Sequence, residues 1–346
     1  MDAGEWRRIP RSLAGLHAAR FKSPVHSLAA RVELRSKQAG ARELYGAKDM
    51  IKIRCMRGTL HVVPLDQAHF FHSATWRQRR GVCERLIRDC GVASHELRAA
   101  LALISRLLKG RQLTPIEIEN EAANQGLTAK PLVRSALKLL WERGDLCYLN
   151  RSDRWAFEER RYGTTQECYG TGGLDLVGEE AAEASLVRAY FAAYGPAMVS
   201  DAAWWSGLGR SRVERAVSSM DDLIKVDVVG EPGPHLMMIA DLEVIKPVSD
   251  QFRPTVRLLA YEDNLLKGYM PSRVRFADPV HFPRIFNAIG EARATVMSSG
   301  IVIGTWIWNS KTSRPELELF RQLSHDESEL LTIEMDRLVY IAAADD

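Results

Sequence analysis

Four side chains in the segment IRCMRGTLHVV have the types and spacing to act together. Arg54, Arg57, Thr59 and His61 alternate along what reads as one strand, with a slip at Gly58, and so share a face. Two guanidiniums, a hydroxyl and an imidazole on one face suit contacts to phosphate. A solvent-exposed strand edge would show the same alternation. On either reading Ile53, Cys55 and Leu60 should be more buried than their polar neighbours. Lys267, Arg273 and Arg275 form a second basic cluster, whose charge and spacing fit backbone phosphate and nothing narrower.

Other chemistries find little support. The five cysteines, at 55, 83, 90, 147 and 168, form no CxxC, which argues against a disulfide framework and a cysteine zinc site. They read as buried free thiols. His69 and His72 bracket two phenylalanines, but no carboxylate or cysteine beside them completes a ligand set, and a helix face explains them. The Gly-rich stretch TGGLDLVG at 171–178 lacks the lysine and spacing of a phosphate-binding loop. No metal and no cofactor is expected.

Charge is distributed unevenly. The 346 residues carry a net +3, yet residues 1–100 hold 19 Lys and Arg against 9 Asp and Glu, leaving the remainder acidic. The arginines at 7, 8, 11, 20, 31, 35, 42, 54, 57, 77, 79 and 80 are interleaved with apolar residues, so this is a folded basic region rather than a tail. Such asymmetry fits one end facing a polyanion. No run approaches 18 apolar residues and MDAGEWRRIPRSL has no apolar signal core, so a cytoplasmic protein without membrane spans is expected.

The elements that must position these residues recur along the chain. AALALISRLLKG, TPIEIENEAANQ and LTAKPLVRSALKLLWERGD read as three helices, the second capped by Thr114 with Pro115 at its first position. LCYLN and RWAFEE should pair across Arg151–Asp153. The order returns with EASLVRAYFAAYG, MVSDAAWWSGLG and SRVERAVSSM, then LIKVDVV and HLMMIAD across the turn at 230–233. Trp204 and Trp205 at helical spacing read as core. A looser first copy has SLAGLHAAR, SPVHSLAARVELR and ARELYGAKD as helices before the strand pair. From about 248 short strands dominate until the closing helix LTIEMDRLVYIAAA. The expectation is α+β: tandem winged helices at 1–98, 99–162 and 163–247, then a β-rich, barrel-like domain at 248–346.

Five blocks occurring in order carry a resemblance that spans nearly the whole chain. LAGLHAARFKSPVHSLAARV, IRCMRGTLHVVP, YFAAYGPAMVSDAAWWSGL, LLAYEDNLLKGY and GIVIGTWIW resemble the AlkZ/YcaQ group of winged-helix DNA glycosylases. The resemblance implies a C-shaped protein cradling duplex DNA that excises bulky or crosslinked N-alkylated purines in repair or in self-resistance to an alkylating natural product; the oligomeric state carries no sequence signal, and a monomer is favoured. It also implies monofunctional chemistry, in which water replaces the base without a Schiff base or metal. An N7-alkylated guanine is already cationic, so its glycosidic bond needs little leaving-group protonation. Holding one water and stabilising an oxocarbenium-like sugar would suffice.

The family does this with a Gln–apolar–Gln or Gln–apolar–Asp motif after a Gly-Leu, and there this chain departs. After Gly15-Leu16 it reads His17-Ala18-Ala19. Imidazole, with an ordinary pKa near ~6.5, can hold a water or take a proton, whereas a methyl group can do neither. His17 is the expected catalytic residue, at the edge of a helix stripe formed with Leu13, Leu16 and Arg20. Asp263, in YEDNLLKGY, is the acid expected to orient His17 or a water, with a turn-forming role as the alternative. Arg20 joins Arg54, Arg57, Thr59, His61, Lys267, Arg273 and Arg275 as expected DNA contacts. The competing reading is a catalytically impaired winged-helix protein that binds DNA or regulates transcription.

Overall fold

The computed structural model describes residues 5–33, 37–46, 48–89, 91–151, 158–170, 174, 176–231, 233–245 and 254–343. Cys90 and Arg35 lie outside them. Helix and strand are mixed throughout, and none of the described helices is long and apolar enough to cross a membrane. The chain groups into two compact units, residues 41–186 and residues 1–40 with 187–346. These boundaries fall inside the first and third segments expected from the sequence.

The N-terminal segment opens with α1 (Glu5–Ser12), β1 (Leu16–His17) and α2 (Ser23–Ala29), and α3 (Lys37–Gly46) straddles the boundary between units. In the unit 41–186, β2 (Met50–Arg54) and β3 (Leu60–Pro64) pair antiparallel, from Met50 opposite Pro64 to Arg54 opposite Leu60. The 25-residue helix α4 (Leu65–Asp89) follows directly. Next come α5 (Ser94–Leu107), α6 (Pro115–Asn124) and α7 (Lys130–Arg143). Thr114 caps α6 as expected, its hydroxyl accepting from Glu117 N–H while the Glu117 carboxylate accepts from Thr114 N–H. Ile104, Ile118, Val133, Ala136, Leu140, Tyr148 and Tyr162 close one apolar core between these helices and a hairpin. Gly144 ends α7 at φ +87°, a conformation that favours glycine.

The hairpin is β4 (Leu146–Asn150) with β5 (Arg160–Thr164), so the second strand is RRYGT rather than RWAFEE, most of which falls outside the described residues. The short helix α8 (Thr165–Tyr169) then leads to α9 (Glu179–Tyr194), which crosses into the other unit. There α10 (Val199–Ser206), α11 (Arg210–Ser218) and the hairpin of β6 (Leu223–Val226) and β7 (His235–Met238) repeat the order of helices and strand pair. Tyr190, Tyr194 and Trp205 pack ring against ring with centroids 5.2–5.7 Å apart, so Trp205 is core as expected.

The C-terminal part comprises β8 (Val256–Leu259), α12 (Asn264–Lys267), α13 (Phe282–Ile285), β9 (Thr295–Ser298), β10 (Ile301–Asn309), β11 (Arg314–Leu319) and α14 (His325–Ala343). Its strands form one open antiparallel sheet in the order β11-β10-β9-β8. The expected barrel does not close. Instead α14 covers one face, where Leu331 and Leu338 pack with Val256, Val296, Ile303 and Trp306. The loops around α12 and α13 cover the other through Leu266, Ile285 and Phe286. A helix across the sheet buries its apolar face as effectively as closure would.

Two glycines differ in what they tolerate. A Cβ on Gly268 would sit 2.4 Å from the buried Tyr194 ring, whereas one on Gly81, inside α4, meets nothing within 4 Å. Gly268→Ala should therefore destabilise by ~1–3 kcal/mol through overpacking. Gly81→Ala should stabilise by ~1 kcal/mol through helix propensity. Urea unfolding midpoints will check both signs.

Candidate active site

The site begins where a helix fails to continue. The sequence favours a helix through SLAGLHAAR, but α1 stops at Ser12. Ala14 takes φ +50° and Gly15 φ +94°, and Gly15 N–H closes the turn onto Pro10 C=O at 2.6 Å. Two successive left-handed residues cannot extend a right-handed helix. Leu16 and His17 leave the turn extended, so His17 lies on a strand and not on a helix edge.

Asn264 fixes that turn. Its amide Nδ2 donates to Gly15 C=O at 2.6 Å and to Leu13 C=O at 3.4 Å, while its Oδ1 accepts from His17 N–H at 3.2 Å. The Tyr194 hydroxyl donates to Leu13 C=O at 2.9 Å and lies 3.2 Å from the same amide. All four residues from Tyr261 to Asn264 hold the N-terminal segment or its surroundings, each differently. The exposed Arg20 guanidinium stacks 3.4 Å over the Tyr261 ring, whose hydroxyl donates to Glu291.

Glu262 faces the imidazole. Its Oε2 lies 3.5 Å from His17 Nε2 and 3.0 Å from Lys267 Nζ, and its Oε1 accepts from Ala292 N–H at 2.5 Å. His17 is 5% exposed and Glu262 3%. Burial pushes the Glu262 carboxyl above its ordinary range, against the pull of Lys267 and the Ala292 amide, with Glu291 adding to the rise. Glu262 also sits at φ +60°, a left-handed conformation that a non-glycine residue adopts at a cost.

Asp263 does something else. Both its oxygens meet Arg31, at 2.7 and 2.9 Å, and they also accept from Ser27 Oγ and from Leu265 N–H, the latter capping α12. Burial alone would raise this carboxyl, but Arg31 with these donors outweighs it and holds the group below the ordinary carboxylate range. Of the two roles expected for Asp263, the turn-forming one is what these contacts describe. The acid beside His17 is its neighbour. Sequence reading missed Glu262, Arg31 and Asn264; the signal was four consecutive polar or ring-bearing residues, YEDN, inside an apolar segment.

The expected DNA contacts divide into inward and outward groups. Arg54, Arg57, Thr59 and His61 do not share a strand, because a 3-10 turn at Met56–Gly58 separates β2 from β3. Arg54 pairs with Glu142 at 2.8 Å and donates to Gly58 C=O at 2.7 Å. Glu142 also holds the buried Arg79 at 3.0 Å, and Arg79 in turn contacts His72, whose imidazole burial and that guanidinium push down to about 3. Thr59 Oγ1 donates to Met56 C=O, and His61 is buried whereas Leu60 is only half-buried, the reverse of the expected order. Arg57, at the turn's tip with φ +53°, is exposed.

The cluster at 267–275 is engaged within its own unit. Lys267 pairs with Glu262, Arg273 lies 4.0 Å over Phe286, and Arg275 pairs with Glu231 at 2.7 Å and donates to Pro196 C=O. Cys55, Cys83 and Cys147 are buried free thiols, whereas Cys168 is free but only half-buried, and burial raises Cys55 to about 12.

A profile of the AlkZ-like DNA glycosylase family matches residues 11–339. The chain belongs to that family. It is 24% identical over 278 residues to an interstrand DNA cross-link repair glycosylase of Streptomyces sahachiroi, covering 74% of this chain and 70% of that protein. Its fold is similar to the solved structure of Streptomyces sahachiroi DNA glycosylase AlkZ, with a TM-score of 0.76 at 21% identity over 97% of this chain and 91% of that one. The match spans the pinned turn, His17 and the YEDN segment alike.

The Asp263–Arg31 pair makes a pH-dependent contribution with a definite sign. A carboxyl depressed on folding stabilises fully above its unfolded pKa of ~3.9, and that contribution is lost as pH falls below it. Arg31→Met leaves a buried, unpaired carboxylate and should cost ~3–5 kcal/mol at pH 7. With its partner gone, burial raises the Asp263 pKa, so the variant's deficit should shrink as pH falls towards 5. Denaturant unfolding of both proteins between pH 4 and 8 measures the two slopes.

Proposed function

We propose that this protein is a monofunctional DNA glycosylase that removes N-alkylated purines from duplex DNA. The observation that carries this reading is His17, at the family's motif position, held by a pinned extended segment beside a buried carboxylate. Family membership supplies the reaction class, and an N7-alkylguanine supplies a leaving group that departs as a neutral base. In the proposed step the imidazole takes a proton from a bound water. The water oxygen bonds to the sugar C1′ as the C1′–N9 bond breaks, its electron pair leaving with the purine. The products are the free base and an abasic site, with the proton on His17.

The two complete arrays of three helices and a hairpin, α5 to β5 and α9 to β7, are read as winged helices, with the N-terminal helices and the β2–β3 hairpin as a looser relative. Among the expected DNA contacts, the exposed Arg20, stacked on Tyr261 beside the site, and the exposed Arg57 are proposed to meet phosphate. The bulky or crosslinked character of the lesion belongs to this proposal as well, by analogy with the cross-link repair relative. A second reading, a DNA-binding protein without catalysis, draws on Ala19, whose methyl group stands where the family motif has a second polar residue.

Incubation with duplex DNA containing one N7-methylguanine, followed by alkaline cleavage at abasic sites, separates the two. Excision is expected, and His17→Ala should slow it ~10²–10⁴-fold, the usual scale for loss of a general base. Binding of the same duplex without excision would favour the second reading. Affinity should fall steeply with salt, and Arg57→Glu should reduce the slope of log affinity against log salt by at least ~1 while leaving the melting temperature within a few degrees.

A further inference from the structure

We infer that Glu262 and Lys267 are positioning residues for His17, so that the acid partner of the proposed base comes from the opposite end of the sequence. The inference rests on the glycosylase reading and specifies how its base is held. Ala19 offers no polar group, yet a water-activating imidazole needs something to hold its ring and to stabilise the imidazolium that forms. Glu262 lies where such a group must be, 3.5 Å from Nε2, a separation that can tighten when the ring becomes charged. A carboxylate there favours the proton on Nε2 and leaves the Nδ1 lone pair to accept from water. Lys267, 3.0 Å away, and the Ala292 N–H favour the ionised form of the carboxylate against its burial, and they aim it.

Three features argue that this arrangement is built rather than incidental. Glu262 is buried and holds a left-handed backbone conformation, so the turn bears strain to place this side chain. Its neighbour Asn264 fixes the position of His17 itself, through the bond from His17 N–H, so imidazole and carboxylate are referenced to one short segment. The adjacent Asp263 is saturated by Arg31, Ser27 and the Leu265 amide, which leaves Glu262 as the acid facing the ring. Both ring nitrogens of His17 are buried, whereas Ala19 and Arg20, which follow shortly after it, are exposed.

The groups facing Glu262 fix the direction of its pH dependence. His17 approaches from β1, Lys267 from α12, and Glu291 with the Ala292 amide from the loop before β9. Lys267 opposes protonation of the carboxylate and Glu291 promotes it. Activity should fall as pH drops and the facing imidazole and carboxylate take up protons as a coupled pair. Lys267→Met removes the opposing charge, so its acid limb should move to higher pH.

Single-turnover excision of N7-methylguanine from duplex DNA, measured from pH 5 to 9 alongside duplex affinity, tests the inference in wild type, Glu262→Gln, Glu262→Asp and Lys267→Met. Glu262→Gln should slow excision at least ~10²-fold with affinity changed less than twofold, and Glu262→Asp should recover part of the rate. Lys267→Met should shift the acid limb upwards. Nitrogen-15 NMR of the His17 ring in the DNA-free protein reads the tautomer directly, with the Nε2–H form expected to dominate in wild type and to lose that dominance in Glu262→Gln. An unchanged rate in Glu262→Gln, an unmoved acid limb in Lys267→Met, or a tautomer indifferent to Glu262 overturns the inference. A wild type that binds the duplex and excises nothing overturns the glycosylase reading instead, and the ring spectrum still decides whether Glu262 holds His17.

Discussion

The buried Asp263–Arg31 pair anchors the arrangement on which the rest of the site depends. A carboxylate with no exposure is tolerable only when every lone pair is met, and here two guanidinium nitrogens, a serine hydroxyl and a backbone amide meet them. Arg31 and Ser27 belong to the segment around α2, and Asp263 opens α12, so the pair joins residues more than 230 positions apart. With that junction fixed, the residues on either side are fixed too. Asn264 then reaches the turn at Leu13–Gly15, and Glu262 reaches His17.

Division of labour within this short segment follows from side-chain chemistry. Tyr261 offers a ring face to Arg20, Glu262 a carboxylate beside an imidazole and an ammonium, Asp263 a short carboxylate to a fork of donors, and Asn264 both donor and acceptor to backbone. Two adjacent acids would repel if they shared an environment. Each instead has its own cation, Lys267 for Glu262 and Arg31 for Asp263. Their carboxyls consequently move in opposite directions, the first raised by burial and the second lowered by its bidentate partner.

Charge counting along the chain overstates the surface available to a polyanion. Much of the basic excess near the N-terminus is consumed internally, Arg79 and Arg54 by Glu142 and Arg31 by Asp263. Lys52, also buried, pairs with Glu158 at 2.9 Å. Guanidiniums with good internal partners fix the geometry of hairpins and helices. Arg20, stacked on the Tyr261 ring, and Arg57 are exposed.

What the sequence by itself determined were the features written in local pattern. Helix caps such as Thr114–Pro115, the terminator Gly144, the repeated order of helices and hairpin, the buried thiols of Cys55, Cys83 and Cys147 and the family blocks are all short-range signals, and all were legible. Local pattern failed where tertiary contacts overrode propensity. SLAGLHAAR has helical periodicity, but Gly15 and the bonds from Asn264 and Tyr194 hold it in a turn and an extended segment. The open sheet was not distinguishable from a barrel, because alternation in each strand is the same whether the edges meet or a helix covers them. Which of two adjacent acids faces His17 was decided only in three dimensions. Glu262 and Asp263 carry the same charge, and in the structure the first, at a left-handed φ, faces His17 while the second meets Arg31.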